Sequence, residues 1–162
     1  MEAGRLIGIA RRKRPRAPME ELRSAAVTAA AGVQGDFRGA VRPGRVPRRQ
    51  VSLLAAEDWL AALRDLGLAE GDCPPWHARR ANLLVEGLRV NGMRLPREKG
   101  CVIAIGESLR IAVTMECDPC SRMEEVVPGL MAALLPDWRG GVLGTVLTDG
   151  TIAVGDEIRI EQ

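Results

Sequence analysis

The sequence predicts a mainly β domain with a few helices, a barrel or sandwich in preference to a parallel α/β sheet. Three observations carry this: period-two alternation in several short runs, turn dipeptides between them, and only brief stretches of helical spacing. Leu109, Ile111, Val113 and Met115 share one face of a strand at 108–115, with Arg110, Ala112 and Thr114 on the other. Ile152 and Val154, then Ile158 and Ile160, repeat the alternation, punctuated by Asp149-Gly150 and Gly155-Asp156. Residues 142–148 and 151–160 therefore read as an antiparallel meander. Further strands are expected at 4–10, 25–31, 49–54, 81–86 and 100–105.

Between Ala55 and Leu66 the spacing turns helical: Ala56, Trp59, Leu60, Leu63 and Leu66 form a stripe, and Gly67 stands at the cap position. After Pro128, the residues Leu130, Met131, Leu134 and Leu135 form a second stripe that Pro136 ends. Both stripes are expected to face the core. The stretch 122–127 also has helical character, and the Pro/Arg-rich segments 11–18 and 42–48 read as exposed loops.

A length of 162 residues suits a single domain over 1–162. With 46% hydrophobic and 27% charged residues, a folded core is expected in place of disorder. No apolar run reaches the ~18 residues that span a bilayer. The start, Met1-Glu2-Ala3-Gly4-Arg5, lacks the apolar segment of a secretory signal, so a cytoplasmic location with no membrane is expected. A net charge of +2, one Phe, three Trp and no Tyr argue against a nucleic-acid partner. Lys13 and Lys99 are the only lysines among 23 basic residues, which weighs against Schiff-base chemistry and pyridoxal phosphate.

The sharpest chemical feature is Glu116-Cys117-Asp118-Pro119-Cys120-Ser121-Arg122. It follows the 108–115 strand and opens onto a helical stretch. Backbone N–H groups there, and the charge of Arg122, would favour a thiolate, the form that binds soft metals or attacks sulfur. A zinc reading competes, because Cys73, His77, Cys117 and Cys120 supply a Cys₃His set. A basic cluster comes second. Arg49-Gln50 and Arg79-Arg80-Ala81-Asn82 each lead into a strand, and together they would make a phosphate-binding mouth. Gln50 or Asn82 would then read the edge of a heterocycle.

Taken in order, these pieces resemble the MOSC family, named after the C-terminal domain of molybdenum cofactor sulfurase. The resemblance spans about 27–160. It rests on Gly32-Val33-Gln34-Gly35-Asp36-Phe37-Arg38, on Arg49-Gln50-Val51-Ser52-Leu53, and on Arg80-Ala81-Asn82-Leu83-Leu84-Val85-Glu86-Gly87. Cys117-Asp118-Pro119-Cys120-Ser121-Arg122-Met123, Arg139-Gly140-Gly141-Val142 and Gly150-Thr151-Ile152-Ala153-Val154-Gly155-Asp156 complete it.

The resemblance implies a MOSC-type barrel-like domain holding a molybdenum–pterin cofactor. Cys120, the second cysteine, would be the metal-ligating or sulfur-carrying residue, with Cys117 beside it. Arg49, Gln50, Arg79, Arg80, Asn82 and Arg122 would border the pterin and its phosphate. It further implies reduction of N-hydroxylated small molecules with electrons from a partner reductase, since no flavin, haem or iron–sulfur motif is present. The alternative is a persulfide or cofactor carrier serving a cofactor-biosynthesis protein. Larger family members add a second domain; here a homodimer, or the 11–18 and 37–48 loops, would supply that wall of the pocket.

Overall fold

Strand β1 (Gly4–Arg11) has three partners. The computed structural model describes residues 3–161. In it, β1 pairs along one edge with β6 (Leu83–Glu86), and its first residues, Gly4 and Arg5, also meet β11 (Glu157–Glu161). That last contact closes a barrel. Around it the order is β11, β7 (Val102–Ile105), β8 (Leu109–Glu116), β9 (Val142–Thr148), β5 (Val51–Ala55), β6 and β1. The far end of β1 carries β2 (Glu20–Leu22), a strand without a sequence signal. A separate small sheet joins β10 (Gly150–Ala153), β3 (Ser24–Thr28) and β4 (Gly32–Val33).

One pair departs from the antiparallel pattern. Strands β5 and β6 run parallel, with Leu53 beside Leu83 and Ala55 beside Val85. Helix α1 (Ala56–Asp65) makes the crossover that a parallel pair requires. Parallel pairing puts the starts of β5 and β6 at the same end of the barrel. Arg49 and Arg80, which precede them, therefore arrive together.

The expected meander does not form. Strand β9 has both edges occupied, by β5 through Val51–Leu53 and by β8 through Arg110–Glu116. The 151–160 segment instead divides at Gly155, whose φ of +103° turns the chain sharply. Strand β10 pairs with β3 in the small sheet, and β11 pairs with β7 and β1 in the barrel. The 25–31 strand also stops early. The Thr28 hydroxyl accepts the Ala31 N–H at 3.0 Å, and the chain doubles back into β4.

Alternation sorts the side chains into two cores. Val51, Leu53, Leu83, Val85, Ile103, Ile111 and Val113 fill the barrel. Leu54 and Leu84 point outward and are covered by Trp59, Ala62 and Leu63 of α1, Met123 of α2 (Arg122–Val126), and Leu130 and Leu134 of α3 (Leu130–Leu134). Leu60 and Leu135 were expected in these stripes but are 53% and 52% exposed. Leu60 lies about 100° around the helix from Trp59, outside the buried arc. Among the described residues no helix is long and apolar enough to cross a membrane.

Candidate functional site

The outward face of β5 carries Ser52, and Asn82 stands beside it just before β6, with Leu143 of β9 paired opposite Ser52. These three line a cleft of about 150 Å³ whose walls come from distant segments. Asn82 fastens the floor. Its Oδ1 accepts the Ser52 N–H at 3.0 Å and the Ser52 hydroxyl at 3.2 Å, and its Nδ2 donates to Ala10 O at 3.1 Å. The second amide hydrogen of Asn82 is left for another acceptor.

One wall is the cysteine loop. Cys117, Asp118, Cys120, Arg122 and Met123 all line the cleft, and both cysteines are free thiols, Cys120 the more exposed. Arg79 holds this loop from below. Its Nη2 donates to Cys117 O at 2.8 Å, lies 3.3 Å from Cys117 Sγ and donates to Gly140 O at 3.0 Å; its Nε donates to the same Gly140 oxygen. The approach leaves no room for a side chain at Gly140, where a Cβ would stand 2.5 Å from Cys117 O. Helix α2 follows as expected but has only five residues, so its dipole adds little to the loop. Glu116, before the loop, has its carboxyl pushed above the ordinary range by burial and then by Asp118.

The opposite wall is arginine. Arg80 enters after a 3-10 turn at Trp76–Arg79 with a left-handed backbone, φ 70° and ψ 24°. For a residue with a Cβ this conformation costs roughly 1–2 kcal/mol. Its buried Nη1 has no hydrogen-bond partner. Arg12, just past β1, is only 7% exposed, and its Nη1 is likewise buried without a partner. The Arg12 backbone is pinned to the Gly35-Asp36-Phe37 turn. Its N–H donates to Asp36 Oδ1 at 3.0 Å, its carbonyl accepts from Phe37, and its guanidinium lies 4.7 Å over the Phe37 ring. Burial lowers the Arg12 pKa, as do the charges of Arg80, Arg38 and Arg122, while Asp36 works the other way.

The structure thus gathers Cys117, Cys120, Arg49, Arg79, Arg80, Asn82 and Arg122 at one cleft. Within that set Arg79 spends its donors on protein carbonyls, and Arg49 stands exposed at the rim. Gln50 is not brought to the cleft. It is 1% exposed, donates to Ala29 O and Gly39 O, and accepts the Val146 N–H at 2.8 Å. Arg12, in the 11–18 segment that reads as an exposed loop, and Arg38, at the end of the Gly32–Arg38 motif, also line the cleft, and neither is among the expected cofactor-binding residues. The signal for Arg12 was its parity with buried Ala10. Both come from the loops expected to complete the pocket.

The zinc set is not assembled. Exposed Cys73 lies in a different depression beside α1, and His77 Nε2 faces Glu21 Oε1 at 3.5 Å. Among the described residues no group of three or more His, Cys, Asp or Glu is placed to hold a metal.

The sequence matches the MOSC domain family over residues 28–159. The chain belongs to the MOSC family. This family is associated with the molybdenum cofactor. No curated protein matches the chain in sequence. Solved structures share the MOSC domain's fold. The YUAD protein from Bacillus subtilis superposes with a TM-score of 0.80 at 18% identity, covering 99% of this chain and 98% of its own. YiiM from Escherichia coli gives 0.68 at 15% identity, covering 98% and 70%. YiiM from Geobacillus stearothermophilus gives 0.59 at 16%, covering 98% and 73%.

Proposed function

We propose that this MOSC protein binds the molybdenum–pterin cofactor in the arginine-walled cleft and reduces N-hydroxylated or N-oxygenated small molecules. One observation carries the reading. Two buried guanidinium nitrogens, on Arg12 and Arg80, lack partners in the same cleft that presents the Cys120 thiol. A buried donor left unsatisfied costs ~1–3 kcal/mol, and more when charged. An anionic oxygen ligand removes that cost, and a guanidinium meets phosphate with paired hydrogen bonds. The residues therefore fit a cofactor with a phosphate at one end and a thiophilic metal at the other.

In this reading Arg12 and Arg80 hold the phosphate, and Arg38, Arg49 and Arg122 neutralise it from the rim. Asn82 orients the pterin edge with its free amide hydrogen while keeping β1, β5 and β6 together. Cys120, as thiolate, is the protein's ligand to molybdenum. When bound, the cofactor supplies oxygen-atom transfer coupled to two-electron redox chemistry. Electrons come from a separate reductase, because the chain carries no other redox motif. The cleft is smaller than the ~300–1,000 Å³ of most ligand pockets, so part of the cofactor projects beyond it.

The test is molybdenum, zinc and pterin content of wild type and Cys120→Ala made in a cofactor-producing host. Molybdenum with pterin in wild type, and much less metal in the variant, supports the reading. Zinc near one per chain without pterin contradicts it.

A second reading is favoured by the pair of free thiols in one cleft. A persulfide on Cys120 attacked by Cys117 would form a Cys117–Cys120 disulfide and release hydrosulfide, making the protein a sulfur carrier for cofactor biosynthesis. Cyanide-labile sulfur on Cys120 in protein free of molybdenum distinguishes it.

A further inference from the structure

The charge of this chain is unevenly placed. Segments 11–18 and 37–49 hold ten of the 23 basic residues and none of the 21 acidic ones, so the net +2 divides into +10 on these segments and −8 over the rest. The two segments meet in space. The Phe37 N–H donates to Arg12 O at 3.0 Å, and the guanidiniums of Arg12 and Arg38 lie 4.7 and 5.3 Å over the same Phe37 ring. They also rim the cleft, since Arg12, Arg38 and Arg49 line it together with Cys120.

Arg11 is paired with Glu20 and Arg12 is buried, but the other eight cations are exposed. Among the described residues no ion pair engages any of the eight. Between them stand Val41 and Val46, 42% and 69% exposed. Such crowding of like charge is unfavourable until an opposite charge meets it. Two loops of cations around exposed valines are the half-interface that an acidic protein surface completes, charge setting the approach and apolar contact the hold. Electron-transfer encounters use small interfaces of this kind, below about 1,200 Å². Nucleic acid fits less well, because the one aromatic ring of these segments is already covered by guanidiniums. A lipid surface also fits less well, since neither segment has a Trp, Leu or Ile to insert.

We propose that the 11–18 and 37–49 loops form the docking surface for the electron donor, a small acidic redox protein. This rests on the cofactor reading above. Breaking the N–O bond of a hydroxylamine to give an amine and water consumes two electrons and two protons. The donor is oxidised by those two electrons, and solvent supplies the protons. Docked on these loops, the donor sits at the mouth of the cleft, where its redox centre comes close to the metal. Arg42 and Arg45 belong to the surface and do not line the cleft, so they separate docking from cofactor binding.

The experiment uses holo-protein from a cofactor-producing host, as wild type and as the Arg42→Glu/Arg45→Glu double variant. Molybdenum and pterin are measured first. Binding of a flavodoxin and of a plant-type ferredoxin, both acidic, is then titrated calorimetrically at low and at 0.5 M salt. Stopped-flow follows reduction of the molybdenum by each donor and by reduced methyl viologen, which needs no docking. The expected result is binding of at least one donor by wild type, weakened about tenfold or more by the double variant and likewise by salt. Reduction by that donor should slow in parallel, while reduction by methyl viologen is unchanged. Binding that the double variant retains, or no binding of either donor to loaded wild type, overturns the proposal and leaves the cofactor reading standing. Vesicles of phosphatidylglycerol or a single-stranded DNA 20-mer bound in place of the donors, and released by the variant, overturn it in favour of a polyanion surface. Donor binding in protein that carries neither molybdenum nor pterin overturns the donor role together with the cofactor reading.

Discussion

Arg79 grips Cys117 at two atoms, its Nη2 lying 2.8 Å from the carbonyl oxygen and 3.3 Å from Sγ. The same guanidinium donates to Gly140 O, so one side chain ties the cysteine loop to the segment leading into β9. Lysine keeps the charge but cannot fork between these acceptors. Arg79→Lys is expected to lower stability by about 1–3 kcal/mol in urea unfolding. Molybdenum retention should fall with it, although Cys120 is intact. Unchanged stability would show that the loop is held by something else.

Arg12 predicts the opposite balance. It is buried among positive groups, with a lowered pKa caused by burial and by Arg80, Arg38 and Arg122. Removing that charge relieves the repulsion at the expense of the ring contact with Phe37 and the weaker attraction of Asp36. Arg12→Met should therefore leave the melting temperature unchanged or higher while reducing cofactor occupancy about tenfold. A large drop in melting temperature would mark Arg12 as a structural side chain instead.

A third expectation concerns acid stability. Burial, and then Glu57, raise the Asp58 carboxyl from 3.8 to about 6. Its place in the first turn of α1 favours the anion and works against that shift. Between these pH values the folded state holds more protons than the unfolded chain, so stability falls as pH rises through the window and the loss is complete above about pH 6. Asp58→Asn should be more stable than wild type by about 1–2 kcal/mol near pH 7.5, discounted for partial exposure, and the advantage should vanish below about pH 4. Melting curves across pH measure it; a gap independent of pH would rule the titration out.

Gln50 and Asn82 separate fold from function. Gln50→Glu places a carboxylate oxygen against the carbonyls of Ala29 and Gly39, so a loss of about 2–4 kcal/mol is expected. Asn82→Asp still accepts from Ser52 but loses the donor to Ala10 O, so it should weaken both the fold and pterin binding. Retained pterin at normal affinity in Asn82→Asp would remove Asn82 from the site.

Most of the barrel strands and α1 were legible because each shows its period within one short window, as the 108–115 run does against observed β8 (Leu109–Glu116), whereas β2 and β4, of three and two residues, are too short to show one. Pairing was not. The meander failed because β5, far away in sequence, occupies the edge of β9 that a hairpin would need. In the site, the cysteine motif announced itself through composition and spacing. Arg12 did not, because its burial depends on Asp36 and Phe37, more than twenty residues away, folding over it. Gln50 showed the converse: a polar residue beside an arginine read as a ligand contact, yet its hydrogen bonds all turn inward to the backbone and Thr145.

The central claim is that Cys120 is the protein's ligand to molybdenum in the arginine cleft. Molybdenum-edge X-ray absorption on loaded wild type and Cys120→Ser tests it most directly, since it counts sulfur atoms around the metal without any assay of turnover. The account predicts one sulfur ligand fewer in the variant, with the dithiolene sulfurs unchanged. An identical sulfur count in the two proteins would contradict it.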